Sequence, residues 1–376
     1  MNCILLRTLS DTRQWRAARW KALLTGCVLL TALSTSAAAQ QQPPEEASIF
    51  RLVTFQVVGD YRLGATQGNG ESDIVDIHNA VRALKAAGAP QVRGLDYIPA
   101  DMKTLIEVGD EAVEAVKTVY RAALDLRANG RLVDTGGDRR IFYPDTAVHL
   151  RAPIPNPEQV FGMANNYEED QTPDASTMNV VPSYFLKSAA SIAGPDDEIV
   201  MTDFLEEGVE TCSGFCFNSH EAEFAFVVGR RARNVSEADA MDYVFGYMVH
   251  NDVSGRSLPT GRSGTEGSSM TKGQENFAPL GPYLTLKEDV PDPYDLAIVT
   301  RLNGEVFPMP NGNTRFMRNK IPQALSMLSR VMTLEPGDII ATGVPAPTVP
   351  LRPGDTVEIT IDRLGTLRNY VVAEGN

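Results

Sequence analysis

Glu221 and Glu223 sit one residue apart in the stretch SHEAEFAFVV, residues 219 to 228, which is otherwise apolar. Side chains two apart on a β-strand share a face, so the two carboxylates stand side by side, roughly 7 Å apart at the backbone. Phe224 and Phe226 alternate differently from the pair and supply an apolar face. Two like charges on a strand with one buried face repel and lose hydration unless a proton or a cation intervenes. An edge strand with solvated glutamates is the plainer reading, and a metal site is the sharper one. Asp252, at the end of the strand-like YMVHND and beside a glycine-rich loop, is the third acid that could join them. Three single-oxygen ligands make a partial shell suited to Mg2+ or Mn2+, and calcium prefers a fuller one. His220 and His250 lie beside these acids, where a structural role is expected ahead of one supporting the ligands.

Elements that could position these acids are readable around them. IFRLVTFQVVGDYRLGA alternates like two strands about a turn, and DIVDIHNAVRALKAAG and DEAVEAVKTVYRAALDLRANG carry helical spacing. This predicts a small α/β unit over residues 40–157, including a Gln/Pro/Glu linker at 40–47. The proline-spaced APIPNPEQV leads from it into a strand-rich part punctuated by Gly and Pro. There, Ser236 and Asp239 resemble a capping box for a helix SEADAMDYVF that stops at Gly246. The strand GYMVHNDVS follows, and a helix PQALSMLSRVM leads into the apolar strand DIIATG. The segment LRPGDTVEITIDRLGTLRNYVV closes as a hairpin.

The first 39 residues differ in kind. Arg13, Arg16, Arg19 and Lys21 precede the apolar run ALLTGCVLLTAL, and Ala37, Ala38 and Ala39 offer small residues for cleavage. This is the pattern of a secretory leader, its apolar run too short to span a bilayer, and it predicts a periplasmic or secreted chain beginning at Gln40. A rival lipoprotein-like cut at Cys27 would fall in the middle of the apolar run. Loss of the leader takes the formal charge from −14 to −18, which excludes nucleic acid as a natural partner. Both tryptophans, Trp15 and Trp20, would leave with it. Cys212 and Cys216 would remain, and in an oxidising compartment a C-x3-C pair without supporting histidines predicts a local disulfide ahead of a zinc site.

Longer stretches carry a family resemblance. HEAEFAFVVGRRARNVSEADAMDYVFGYMVHNDVSGR, TKGQENFAPLGPYL, RLNGEV, LEPGDIIATGVP and LRPGDTVEITIDRLGTLRN resemble, in order and spacing, the fumarylacetoacetate hydrolase family over residues 158–376. The resemblance implies an α+β, mostly β catalytic domain of that family's fold, commonly a homodimer, with Mg2+ or Mn2+ held by Glu221, Glu223 and Asp252. It also implies a small-molecule 2-oxo or 1,3-dicarbonyl acid as substrate and hydrolysis of a C–C bond as the first expectation. Isomerisation, decarboxylation and a non-catalytic oxo-acid binder are the alternatives. Lys272 matches the family's active-site lysine, and Arg256, Thr342 and Gly343 are candidates for contact with the substrate.

One segment departs from the family pattern. Hydrolytic members often carry Asn-Tyr-x-x-His-x-x-Glu over the site, whereas this chain reads NYEEDQTPD, with Asp170 at the histidine position and Pro173 at the glutamate position. Glu168, Glu169 and Asp170 are then the available carboxylates, with Glu169 and Asp170 the candidate bases. Two other motifs fall short of a site. Ser269 to Lys272 forms an S-x-x-K, but no K-T-G strand accompanies it; Gly261, Gly264 and Gly267 lack the G-x-G-x-x-G form of a phosphate loop.

Overall fold

The computed structural model describes residues 49–375 apart from 69–72, 96, 135, 169–180, 206–216, 257–267, 310–311 and 346–347. The fold is mostly β, as expected. Phe50–Val57 and Asp60–Gln67 pair antiparallel about Val58 and Gly59. Both turn residues have positive φ, 48° and 92°, the backbone that lets a two-residue turn follow the twist of the strands. Phe50–Val57 then pairs with Ala278–Leu286, so the strands of the first part continue the sheet of the second. That sheet runs on through Val244–Asn251, Ala222–Val228, Ile339–Ala341, Val160–Ala164 and Ser183–Lys187, and holds twelve strands among the described residues. A second sheet of five strands contains Ile298–Leu302, Thr356–Ile361 and Gly365–Ala373, the last two forming the expected terminal hairpin.

Alternation divides the residues of the central strand between two cores. Ala225 and Val227 join the apolar cluster that includes Val113 and Val116 of the helix Asp110–Ala128. Phe224 and Phe226 join the cluster that includes Ile359 and Leu367 of the five-stranded sheet. Glu223 shares the first face, so its carboxylate stands on the side of Ala225, at the end of a strand buried on both faces.

The expected helix over 236–245 is not formed. Ser236 Oγ donates to Asp239 Oδ2 at 2.6 Å and accepts from its amide at 3.3 Å, so the capping residues meet, but only a 3-10 turn follows at Ala240–Tyr243. Val244 and Phe245 are drawn into the sheet instead. Gly246 is no helix stop. It lies inside a strand where a Cβ would come within 2.3 Å of the Thr285 carbonyl oxygen, so glycine there permits the close approach of two strands. The helix Ile321–Val331 and the strand Ile339–Ala341 occur as read. No helix among the described residues is long and apolar enough to cross a membrane.

Candidate active site

Strand pairing assembles the three acids. The antiparallel register sets Glu223 opposite His250 and Ala222 opposite Asn251, and the Asp252 amide donates to the Glu221 carbonyl at 2.9 Å. Glu221, Glu223 and Asp252 thereby offer ligand oxygens that all lie within 4.8 Å of one another. All three are buried, at 5%, 1% and 0% exposure.

Among the described residues, three basic side chains surround them. Lys272, at the end of the short helix Ser268–Lys272, donates to Glu221 Oε2 at 2.8 Å and to Asp252 Oδ2 at 2.5 Å. Arg256 pairs through Nη2 with Glu221 Oε1, which also accepts from Ser254 Oγ at 2.8 Å. Lys187, absent from the sequence reading, donates to Asp252 Oδ1 at 2.5 Å and to the Val253 carbonyl at 3.2 Å. Its signal was faint: a lysine closing the strand SYFLK, whose partner lies 65 residues away.

The charges are shared unevenly. Burial opposes ionisation of Asp252, but Lys187, Lys272 and His250 outweigh it and hold this carboxyl well below the usual range. Burial likewise opposes the Lys272 charge, and Asp252 and Glu221 more than restore it, raising its pKa. For Lys187 burial wins over the attraction of Asp252, and its pKa is lowered. Glu223 is raised well above the carboxylate range by burial and by the charges of Asp252 and Glu221. Its Oε2 accepts a hydrogen bond from the Gly343 amide at 2.9 Å.

This donor set fits a divalent cation. Hard carboxylate oxygens converge in a buried space, and the acid drawn furthest from ionisation, Glu223, accepts from the neutral Gly343 amide. Glu221, Glu223 and Asp252 would hold such an ion, whose positive charge would favour the ionised form of Glu223, and hard Mg2+ or Mn2+ suits these oxygen ligands.

The remaining expected residues fall as follows. Thr342 is fully buried; its hydroxyl donates to the Phe224 carbonyl at 2.8 Å and lies 3.2 Å from the Tyr167 hydroxyl. Asn166 braces that segment, its Nδ2 donating to the Thr342 and Asn319 carbonyls at 2.9 and 3.1 Å. Glu168 is buried with Oε2 3.3 Å from Arg318 Nε. His220 and His250 are both buried and both held down to about 4 by burial, with Nδ1 contacts to the Val349 and Pro279 carbonyls at 3.4 and 3.0 Å. Their placement is that of neutral structural histidines. Glu169, Asp170 and Pro173, the cysteines Cys212 and Cys216, the glycines Gly261, Gly264 and Gly267, and the whole leader lie outside the described residues.

Phe185 was also missed. Its ring lies 5.0 Å from Lys272 Nζ and is seated over Gly162, where a Cβ would stand 2.2 Å from its Cζ. Phe185 and Lys187 are two apart on one strand, so one face of Ser183–Lys187 sends both toward the acidic cluster.

Residues 159–372 match the family model described as fumarylacetoacetate (FAA) hydrolase C-terminal. The chain belongs to this family. Among relatives of the fumarylacetoacetate hydrolase family, it is 32% identical over 349 residues to a mitochondrial oxaloacetate tautomerase of Bos taurus, covering 90% of this chain and 97% of the relative. Among solved structures it resembles maleylpyruvate hydrolase from Sphingobium sp. SYK-6, in complex with manganese(II) and pyruvate. That match has a TM-score of 0.61 and 28% identity, covering 86% of this chain and 99% of the other. A 2-hydroxyhepta-2,4-diene-1,7-dioate isomerase from Mycobacterium marinum matches with a TM-score of 0.58 and 27% identity, over 88% of this chain and 100% of that one. A hydrolase, an isomerase and a tautomerase thus stand among the proteins it resembles, and the family alone does not select among them.

Proposed function

We propose that this member of the fumarylacetoacetate hydrolase family is a divalent-metal-dependent tautomerase, interconverting the keto and enol forms of a short 2-oxo dicarboxylic acid such as oxaloacetate. Glu221, Glu223 and Asp252 would hold Mg2+ or Mn2+, which supplies Lewis acidity toward a chelating oxo acid. Lys272, close to these ligands and still 13% exposed, stabilises negative charge developing on the substrate oxygen. Arg256, the most exposed of the three cations, takes a substrate carboxylate. Thr342 and Gly343 line the site behind Glu223, and contact of either with substrate would exchange a bond it now makes within the protein.

The observation that carries this reading is the sequence NYEEDQTPD. Asp170 and Pro173 stand where hydrolytic members place the histidine and glutamate that activate water, and Glu168 is paired with Arg318. A carboxylate such as Glu169 or Asp170 suffices to move a proton between carbon and solvent, whereas hydrolysis requires a strong nucleophile as well. The resemblance to a tautomerase along 97% of its length agrees. Hydrolysis of an acylpyruvate-like C–C bond is the second reading, favoured by the match to 99% of a maleylpyruvate hydrolase.

The test supplies enol oxaloacetate and, separately, an acylpyruvate to the protein with Mg2+ or Mn2+. Faster decay of the enol absorbance, with ketonic oxaloacetate as the only product, is expected. Cleavage of the acylpyruvate into two acids without effect on the enol would replace the first reading with the second, and inactivity on both would leave a binder.

We also propose that the chain is exported by its leader to the periplasm or beyond, forms a Cys212 to Cys216 bridge there, and works as a homodimer. The leader composition and the family resemblance support these readings.

A further inference from the structure

We propose that Lys187 is a positioning residue that keeps Asp252 a one-oxygen ligand and so biases the site toward small divalent ions over Ca2+. This rests on the assignment of Glu221, Glu223 and Asp252 as a metal site and is independent of the reaction proposed. Lys187 and Lys272 divide one carboxylate: Lys187 takes Oδ1 and Lys272 takes Oδ2, each at 2.5 Å. Their freedom differs. The Lys187 side chain has no exposure, and its other acceptor is the backbone carbonyl of Val253, which cannot move without pulling the neighbouring ligand. Lys272 is partly exposed, ends a helix of five residues, and has the Phe185 ring beside its ammonium as an alternative resting place.

A cation entering between Glu221, Glu223 and Asp252 therefore displaces Lys272 and leaves Lys187 in place. Asp252 then presents Oδ2 alone. Ca2+ gathers six to eight oxygens, commonly with a two-oxygen carboxylate, while Mg2+ is content with single oxygens and water in an octahedron. Lys187 Nζ, held on Oδ1, closes off the geometry that Ca2+ would use.

The experiment titrates Mg2+ and Ca2+ by calorimetry into the full mature chain, wild type and Lys187→Met. Wild type should favour Mg2+, and the variant should narrow the ratio by about tenfold, the scale on which residues behind metal ligands alter affinity. Narrowing of this kind would not follow from lost stability alone. An unchanged ratio in a folded variant overturns the proposal, whereas failure of the wild type to bind either ion overturns the metal assignment itself. Should Lys187→Met not fold, a crystal structure of the wild type with Mn2+ decides: Asp252 bound through one oxygen with Lys187 still on the other supports the proposal, and two-oxygen binding or a displaced Lys187 overturns it.

Discussion

The Gly343 amide donates a hydrogen bond of 2.9 Å to Glu223 Oε2, from a backbone with φ of +93°. That conformation aims the N–H at the carboxylate, and a Cβ there would meet the Met163 carbonyl oxygen at 3.0 Å and Asn166 Cβ at 3.3 Å. Gly343→Ala should therefore cost about 1–3 kcal/mol of stability and weaken divalent binding, because strain and a shifted donor fall on one residue. Glu223→Ala should abolish divalent binding with the fold intact. Urea unfolding and calorimetry on both variants check this; wild-type Mg2+ affinity in Glu223→Ala would remove Glu223 from the ligand set.

Lys272 occupies the space between Glu221 and Asp252 that a cation would share. Lys272→Met should bind Mg2+ or Mn2+ at least as tightly as wild type and lose turnover by about 10²-fold or more, the range seen when a donor to developing charge is removed. Parallel calorimetry and enol-decay rates would show the two effects moving in opposite directions. A variant that keeps its turnover would show that Lys272 does not stabilise the developing charge.

Both buried histidines carry a pH dependence of definite sign. Unfolded histidine titrates near ~6.5, and His220 and His250 are held down to about 4 by burial. A lowered folded pKa means that the unfolded chain binds protons first, so the stability is whole above ~6.5 and is lost as pH falls toward 4. Each histidine contributes about 3 kcal/mol to this loss at 1.36 kcal/mol per unit. Urea midpoints measured in chelator from neutral pH downward should fall over that window, and His250→Gln should flatten the slope. An identical slope would mean that carboxylates govern the acid limb.

Gly162 gives the Phe185 ring its seat beside Lys272. Gly162→Ala should destabilise by about 1–3 kcal/mol, the cost of overpacking a closed contact. Adding Phe185→Leu should recover much of that stability while leaving turnover low, since the ring beside the ammonium is gone. Recovery of both would show that the ring only fills space.

Removal of the leader would take Trp15 and Trp20 with it. Mature protein recovered from a periplasmic fraction should begin at or near Gln40, show no tryptophan fluorescence, and carry a Cys212 to Cys216 bridge by mass spectrometry. Retained tryptophan emission together with free thiols would overturn export and bridge alike.

The Glu-x-Glu pair was legible because its geometry is local. The apolar alternation of FAFVV marks the strand Ala222–Val228, Glu221 stands immediately before it, and the spacing of two leaves its carboxylate within 4.8 Å of that of Glu223. Asp252 could be named because it ends the next strand, and antiparallel neighbours bring such ends together. Lys272, Arg256 and the Thr342–Gly343 segment came from motifs of the family. The misread helix at 236–245 had the right cap, but the pairing of Val244 and Phe245 into the sheet overrode the local pattern, and Gly246 serves an approach between strands that no local rule encodes.

Residue types at short spacing are enough to read the family, the mostly β fold and the acids of the candidate metal site. The balance of charge around those acids depends instead on contacts made across the folded chain. Lys187 reaches Asp252 across 65 residues of chain, and Phe185 reaches Lys272 across an edge strand seated on Gly162. Contacts of that kind depend on sheet order and side-chain packing, where distance along the chain says nothing about distance in space.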